Sequence, residues 1–166
     1  MKKLSVYLSL ALAVAGLAAC EKEIEEVAQP KVESAAAVQQ TPQALLTSAA
    51  WRQTDLSTTS LAAGTNEPTT VSLFARLKAE QKDNLTQFSA DGGYVLDEGA
   101  TKSDPHGAQQ KTGTYQLSED AKTLVVKLPE FERSFTVEEL SATTLRLKVT
   151  DGEGNAAVSY TSTFSH

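Results

Sequence analysis

Few residues of this chain have side chains that enzymes use as nucleophiles or bases. Its 166 residues include one cysteine, Cys20, and two histidines, His106 and His166. Catalysis of the triad type needs a histidine beside a nucleophile and an orienting acid. Ser103-Asp104-Pro105-His106 comes nearest to that set, but its spacing fits no triad arrangement and its composition is typical of a turn-rich loop. We therefore predict a polar loop there, a frayed His166, and a protein that is not an enzyme.

Acidic residues suggest a metal site at two places, and neither pattern is complete. Asp151-Gly152-Glu153-Gly154-Asn155 has the acids and glycines of a calcium loop. It lacks the ladder of ligands and the closing glutamate of such a loop, so we interpret it as a hairpin turn. Asp97, Glu98 and Asp104 could hold a hard cation loosely, and a solvated loop is the favoured interpretation. We expect no metal and no cofactor.

The position of Cys20 gives it a different significance. The second and third residues are lysines, an apolar stretch runs from Leu4 to Leu17, and two alanines precede the cysteine. A basic start, a short apolar middle and small residues at a cleavage site are typical of a secretory signal peptide. The apolar stretch is too short to span a bilayer comfortably. We therefore predict a signal peptide at residues 1–19.

The four residues Leu17-Ala18-Ala19-Cys20 resemble the lipobox of bacterial lipoproteins. In that family the cysteine is acylated, with chains such as palmitate, and becomes the first residue of the mature protein. The resemblance implies that acyl chains on Cys20 attach the protein to a membrane, and that the thiol is not a nucleophile. The alternative is an ordinary signal peptide followed by an incidental cysteine.

The charge of the mature chain restricts its partners. Removing residues 1–19 takes away two lysines and leaves 147 residues with 13 basic and 21 acidic side chains, a net charge of −8. Nucleic-acid binding needs clustered Lys and Arg, so it is not expected. Adhesion to anionic lipid by charge is also disfavoured, so membrane attachment depends on several acyl chains. Because no second cysteine exists, no disulfide can form.

The residues after Cys20 predict a flexible tether, so that residues 20–40 form a lipidated linker. Residues 21–40 contain five glutamates and no aromatic residue. Such a segment cannot bury enough apolar surface to fold, and it reaches about 25 Å. Its acidic start resembles the export tags of some outer-membrane lipoproteins, or it is a solvated spacer. We predict a protein anchored in the outer membrane, on its periplasmic or cell-surface face.

Residues 41–166 predict a single all-β domain. Apolar and polar residues alternate there with period two, as in half-buried antiparallel strands, and turn signals such as Asp91-Gly92-Gly93 separate them. Thr41-Pro42 predicts a short helix start, and the spacing in Val71–Gln81 predicts a second helix. Eight strands joined by short turns favour an eight-stranded antiparallel up-and-down β-barrel. They are expected near 51–56, 84–89, 93–97, 111–117, 123–128, 131–138, 144–150 and 156–164.

Four segments resemble bacterial lipocalin-like lipoprotein domains over about residues 43–164. They are Leu45-Leu46-Thr47-Ser48-Ala49-Ala50-Trp51-Arg52, Lys82-Asp83-Asn84 with Phe88–Tyr94, Gly113-Thr114-Tyr115, and Leu140–Leu147. The resemblance implies a small barrel with a ligand cavity but no particular ligand. Ala49 stands where lipocalins usually have Gly. Gln81 and Ser103 stand where family members often have Cys, which leaves loop 98–110 less constrained than in its relatives.

Two functions follow as expectations. In the first, a lipid-anchored barrel binds a small apolar or amphipathic ligand through its interior and loop 98–110. In the second, a packed barrel is a non-catalytic protein–protein, adhesion or assembly module. Trp51 is expected to plug one end of the barrel, and Ser162 to share the interior face of its strand. The candidate ligand-binding residues are Phe88, Tyr94, Tyr115, Phe135, Tyr160 and Phe164. The oligomeric state is not predicted.

Overall fold

A computed structural model describes residues 40–62 and 67–166. The predicted signal peptide, the acylated Cys20 and all but the last residue of the predicted tether lie outside the described residues. Within the described residues, no helix is long and apolar enough to cross a membrane.

Strands make up most of the described chain, and each of the eight predicted strands is present. Two short α-helices accompany them, α1 (Pro42–Leu46) and α2 (Ala79–Lys82), with two 3-10 helical turns at Phe74–Arg76 and Gly154–Ala156. The strands are β1 (Trp51–Leu61), β2 (Pro68–Ser72), β3 (Leu85–Phe88), β4 (Gly93–Asp97), β5 (Gln110–Leu117), β6 (Thr123–Leu128), β7 (Phe131–Leu140), β8 (Leu145–Asp151) and β9 (Val158–Ser165).

Eight of these strands close into an antiparallel barrel. From β3 to β9 each strand pairs with the next one along the chain, and β9 pairs with β1 from Arg52 to Ser60. The barrel closes where β1 meets β3 through two residue pairs, Trp51 with Thr86 and Arg52 with Leu85. Closure leaves none of these eight strands as a terminal strand, and β2, which pairs with β1 alone, is the edge strand of the sheet. The prediction of an eight-stranded up-and-down barrel is therefore confirmed.

The helix predicted over Val71–Gln81 is wrong in its first part. Val71 belongs to β2, an extra strand that pairs with the end of β1 and places Val71 opposite Thr58. The backbone N–H of Leu73 then donates to the carbonyl of Leu56 at 2.8 Å. Three β-branched residues precede Ser72 in this segment and favour an extended chain, and pairing with β1 decides the outcome. Helical structure begins only with the 3-10 turn at Phe74.

Helix α1 closes one end of the barrel and begins as the sequence predicts. The hydroxyl of Thr41 accepts a hydrogen bond from the N–H of Ala44 at 3.1 Å, and Pro42 starts the helix. Leu46, the last residue of this helix, is fully buried, and so is the side chain of Trp51. The indole Nε1 of Trp51 donates to the carbonyl of Leu46 at 2.9 Å. Trp51 therefore plugs the α1 end of the barrel, as the sequence predicts.

Burial decreases along the strands away from α1. On β7, Val137 is buried, Phe135 is half-buried and Phe131 is 46% exposed. On β8, Leu145 and Leu147 are buried, whereas the last residues of the strand are exposed. The barrel is therefore packed at the α1 end and open at the other, which we call the open end.

Candidate functional site

An inner cavity of about 180 Å³ lies within the barrel between the packed core and the open end. Four of the six predicted ligand-binding residues line it, namely Phe88, Tyr94, Phe135 and Phe164. The remaining residues of its lining are Gln53, Thr86, Val126, Phe131, Leu147 and Ser162. Its wall is mainly aromatic and aliphatic, with a few polar groups, which is the composition typical of small-molecule sites.

An outer cavity of about 520 Å³ adjoins the inner one at the open end. Its volume falls in the range of roughly 300–1,000 Å³ that is usual for ligand sites. Phe131, Phe135 and Ser162 line both cavities. Tyr160, another predicted residue, lines the outer cavity with Arg133, Val149 and Asp151. The two cavities therefore share part of their lining, and the outer one is the wider of the two.

Strand register explains why these side chains face inward. Opposed residues of an antiparallel pair point to the same face of the sheet. Phe135 is paired with the buried Leu124, and Ser162 with the buried Leu147, so both point into the barrel. On β1, an irregularity between Gln53 and Asp55 shifts the alternation by one residue.

Polar groups within the inner cavity are few and hydrogen-bonded. Nε2 of Gln53 donates to Oγ of Ser162 at 3.2 Å and to the carbonyl of Asp55 at 3.3 Å. Burial raises the pKa of the Tyr94 phenol, and a hydrogen bond with the Thr86 side chain opposes that rise in pKa. The phenol is therefore neutral around pH 7, as an apolar cavity requires.

Tyr115 is the one predicted ligand-binding residue that lines neither cavity. Its hydroxyl donates to the carbonyl of Ser89 at 2.9 Å and accepts a hydrogen bond from Nε2 of Gln43. Its ring packs edge-on against Phe88, with 5.0 Å between the ring centroids. Tyr115 thus joins α1 to the turn between β3 and β4, and its role is structural.

Loop 98–110 was expected to take part in binding, but the two cavities described above are lined by other residues. The loop is instead fastened to the barrel wall. The N–H of Thr101 donates to Oδ2 of Asp83 at 2.8 Å. Hydrogen bonds from the Gln110 and Gln109 amides, in that order of effect, lower the pKa of the Asp97 carboxyl. These bonds hold the loop at a place where the family resemblance implies cysteines in other members.

One of the two histidines lies in a turn, and the other lies beside the buried Trp51 ring. His106 lies in a turn in which its N–H donates to Oδ1 of Asp104 at 2.9 Å. The expectation of a frayed His166 is wrong, because its ring lies 3.9 Å from the Trp51 ring, centroid to centroid. Nδ1 of His166 is also 3.2 Å from the carbonyl oxygen of Ala50. Pairing of Ser165 with Arg52 at the end of β9 brings this residue over the indole.

The acidic patterns behave as turns. Asp151–Asn155 connects the antiparallel strands β8 and β9 and contains Gly152 at φ +83°, so the hairpin interpretation is confirmed. In residues 40–62 and 67–166, no group of three or more His, Cys, Asp or Glu side chains is arranged to hold a metal ion.

Sequence reasoning missed the two charged residues of the outer cavity, Arg133 and Asp151. Nη2 of Arg133 lies 2.8 Å from Oδ1 and 2.9 Å from Oδ2 of Asp151. The signal was present in the alternation Phe131-Glu132-Arg133-Ser134-Phe135, because Arg133 stands in phase with the two inward phenylalanines.

Neither the comparison with protein-family models nor that with curated proteins found a match to this chain.

Proposed function

We propose that this barrel binds a small apolar or amphipathic molecule through its open end. The observation that carries the proposal is the pair of adjoining cavities, which share Phe131, Phe135 and Ser162. Phe131 is 46% exposed, although it points toward the interior. A ligand seated there would remove part of its apolar surface from water, at about 25 cal/mol per Å².

The proposal includes the location of the protein. Acylation of Cys20 after removal of residues 1–19 would anchor the barrel in the outer membrane of a bacterial envelope. The segment 20–40 would act as the tether. This part of the proposal is supported by the sequence pattern and its resemblance to a lipobox. The lipocalin-like identity of the barrel has the same kind of support, together with the closed antiparallel topology.

The second candidate function is a protein–protein or adhesion module that uses the outer wall. A depression of about 370 Å³ on that wall favours it, because Asp91, Gln116, Val125, Lys127 and Glu132 line it. Its lining is mainly polar, and the α1 half of the barrel is packed. We rank this second function below the first because it leaves the apolar cavities at the open end without a role.

A neutral fluorescent probe, phenylnaphthylamine, tests the proposal on the chain starting at Glu21. We expect its fluorescence to rise on binding to the unaltered chain. Phe131→Ser should weaken this binding at little cost in stability, because Phe131 is half exposed. The control is Val125→Ser, which removes an apolar side chain from the outer depression.

The two variants separate the candidate functions. Loss of probe binding in Phe131→Ser alone supports the interior site. Loss in Val125→Ser alone would move the site to the outer wall and contradict the proposal. A chain that gives no fluorescence change at any concentration tested would also contradict it.

A further inference from the structure

An ion pair lies on the inward face of the barrel at its open end. Arg133 is paired in register with the buried Val126, so it points to the interior. Asp151 lies two residues beyond Val149 and four beyond Leu147, on the same face of β8. Both charged side chains line the outer cavity, and their charges therefore face whatever occupies it.

Other ion pairs of the described chain have a different placement. Arg146 and Glu139, 3.1 Å apart, lie on the outer wall, since Arg146 alternates with the inward Leu145 and Leu147. Lys111 and Glu130, 3.3 Å apart, lie at the rim of the open end but line neither cavity. Arg133 and Asp151 are thus set apart by a position inside an apolar, aromatic lining.

The geometry of the pair leaves the guanidinium accessible to a ligand. Within the described residues, its hydrogen bonds are those from Nη2 to the two oxygens of Asp151. A guanidinium has five donors in a planar fork that matches a carboxylate. Nη1 and Nε are therefore available for a second acceptor group.

The ion pair between Arg133 and Asp151 is exposed enough for another carboxylate to replace Asp151. The side chain of Arg133 is 45% exposed and that of Asp151 is 55% exposed. Ion pairs with this much solvent contact contribute little to stability. An incoming carboxylate can therefore share the guanidinium with Asp151 or displace Asp151 from it.

We propose that Arg133 and Asp151 select ligands with an acidic head group, so that the molecule bound is a long-chain monocarboxylate. This inference rests on the proposed function of the barrel. The apolar chain occupies the two cavities, and the carboxylate accepts hydrogen bonds from Arg133. Asp151 holds the guanidinium in place in the free protein and competes with the ligand for it. The negative charge of Asp151 disfavours head groups with more than one negative charge.

The test compares three ligands that differ only at the head group. Dodecanoate, its methyl ester and dodecylamine are titrated against phenylnaphthylamine bound to the chain starting at Glu21, the ester below its solubility limit and the other two below their micelle concentrations. We expect the acid to displace the probe at a concentration about tenfold lower than the ester, because a hydrogen bond to a charged group is the stronger kind. The amine should displace it less readily than the ester.

Two variants of the pair are expected to act in opposite directions. Arg133→Gln should abolish the preference for the acid, so that the acid and the ester displace the probe at similar concentrations. Asp151→Asn should increase the preference, because it removes the competing carboxylate. The matched controls are Arg146→Gln and Glu139→Gln, which change net charge in the same way at a pair of similar exposure on the outer wall. Neither control should alter the preference.

Each outcome decides the matter. Displacement by the ester as readily as by the acid would overturn the selection and leave the proposed function standing. Strongest displacement by the amine would overturn it in favour of Asp151 as the binding group. A fall in acid binding in Asp151→Asn as large as in Arg133→Gln would show that the pair acts only by supporting the wall. If Arg133→Gln does not fold, Arg133→Lys serves as the second variant, because it keeps the positive charge without the planar guanidinium. An unchanged preference for the acid in Arg133→Lys would contradict recognition of the carboxylate by two hydrogen bonds. A chain that binds no probe overturns both proposals.

Discussion

Replacing Ser162 with phenylalanine tests whether the interior space described here is large enough for a ligand. Ser162 lines both cavities and points inward opposite Leu147. Its hydroxyl accepts a hydrogen bond from Gln53 at 3.2 Å, and the loss of that bond costs about 1 kcal/mol. The new ring would enter the inner cavity, whose volume is about 180 Å³. Burial of the ring would offset this cost by roughly 1.5–3 kcal/mol.

We therefore expect Ser162→Phe to change the free energy of unfolding by less than about 1–2 kcal/mol. It should also abolish binding of phenylnaphthylamine, because the ring takes the space of the probe. The assays are probe fluorescence and thermal unfolding followed by circular dichroism. The control is Thr161→Phe on the outward face of the same strand, opposite Lys148, where neither probe binding nor packing should change.

A packed interior would give the reverse result. Overpacking costs roughly 1–3 kcal/mol, and at about 4 °C per kcal/mol the melting temperature would fall by several degrees. An unaltered chain that ignores the probe, with a Ser162→Phe variant that melts early, would refute the reasoning and leave the outer-wall function.

Three further predictions concern the anchor, the tether and the response to acid. Cys20→Ala should abolish incorporation of labelled palmitate, and equal labelling of the two proteins would contradict acylation at this residue. Deletion of residues 21–40 should leave the melting temperature of the barrel unchanged, because a tether adds no buried surface; a clear drop would show that it packs on the barrel. Hydrogen bonds from Gln110 and Gln109 lower the pKa of Asp97 below the ordinary aspartate value of about 3.9. Its contribution to stability is therefore complete above that ordinary value and is lost as pH falls through the folded pKa. The difference in melting temperature between the unaltered chain and Asp97→Asn should therefore shrink on acidification below about pH 4, and a constant difference would contradict this account.

Much of the barrel could be predicted because its strands keep a strict alternation. The strand predicted at 123–128 matches β6, in which Leu124, Val126 and Leu128 are buried on one face. The alternation of apolar and polar residues does not identify a strand that is polar on both faces. The predicted first strand ends at residue 56, whereas β1 continues to Leu61. Ser57–Ser60 is polar and resembles a loop, but hydrogen bonding to β2 on one side and β9 on the other makes it a strand.

The candidate site was predicted in part, for a related reason. Periodicity identifies which residues face inward, and five of the six predicted aromatic residues line the two cavities. It does not tell how far along the barrel each residue lies. Tyr115 faces the packed α1 half, where its hydroxyl bonds with Ser89. The alternation places Arg133 in phase with Phe131 and Phe135, and its register opposite the buried Val126 confirms that it faces inward.

The closure of the barrel has a consequence for how a ligand reaches the interior. Apart from one joint, the wall is a continuous antiparallel ribbon, and that joint consists of the two pairs between β1 and β3. With two residue pairs it is the shortest pairing of the wall, so its separation breaks the fewest backbone pairings. Thr86 belongs to this joint and Gln53 directly follows its residue Arg52, and both line the inner cavity. A brief separation of β1 from β3 would thus create a side entrance to the deepest part of the cavity. Fast amide hydrogen exchange at Arg52 and Thr86, relative to the centre of β6, would be its signature.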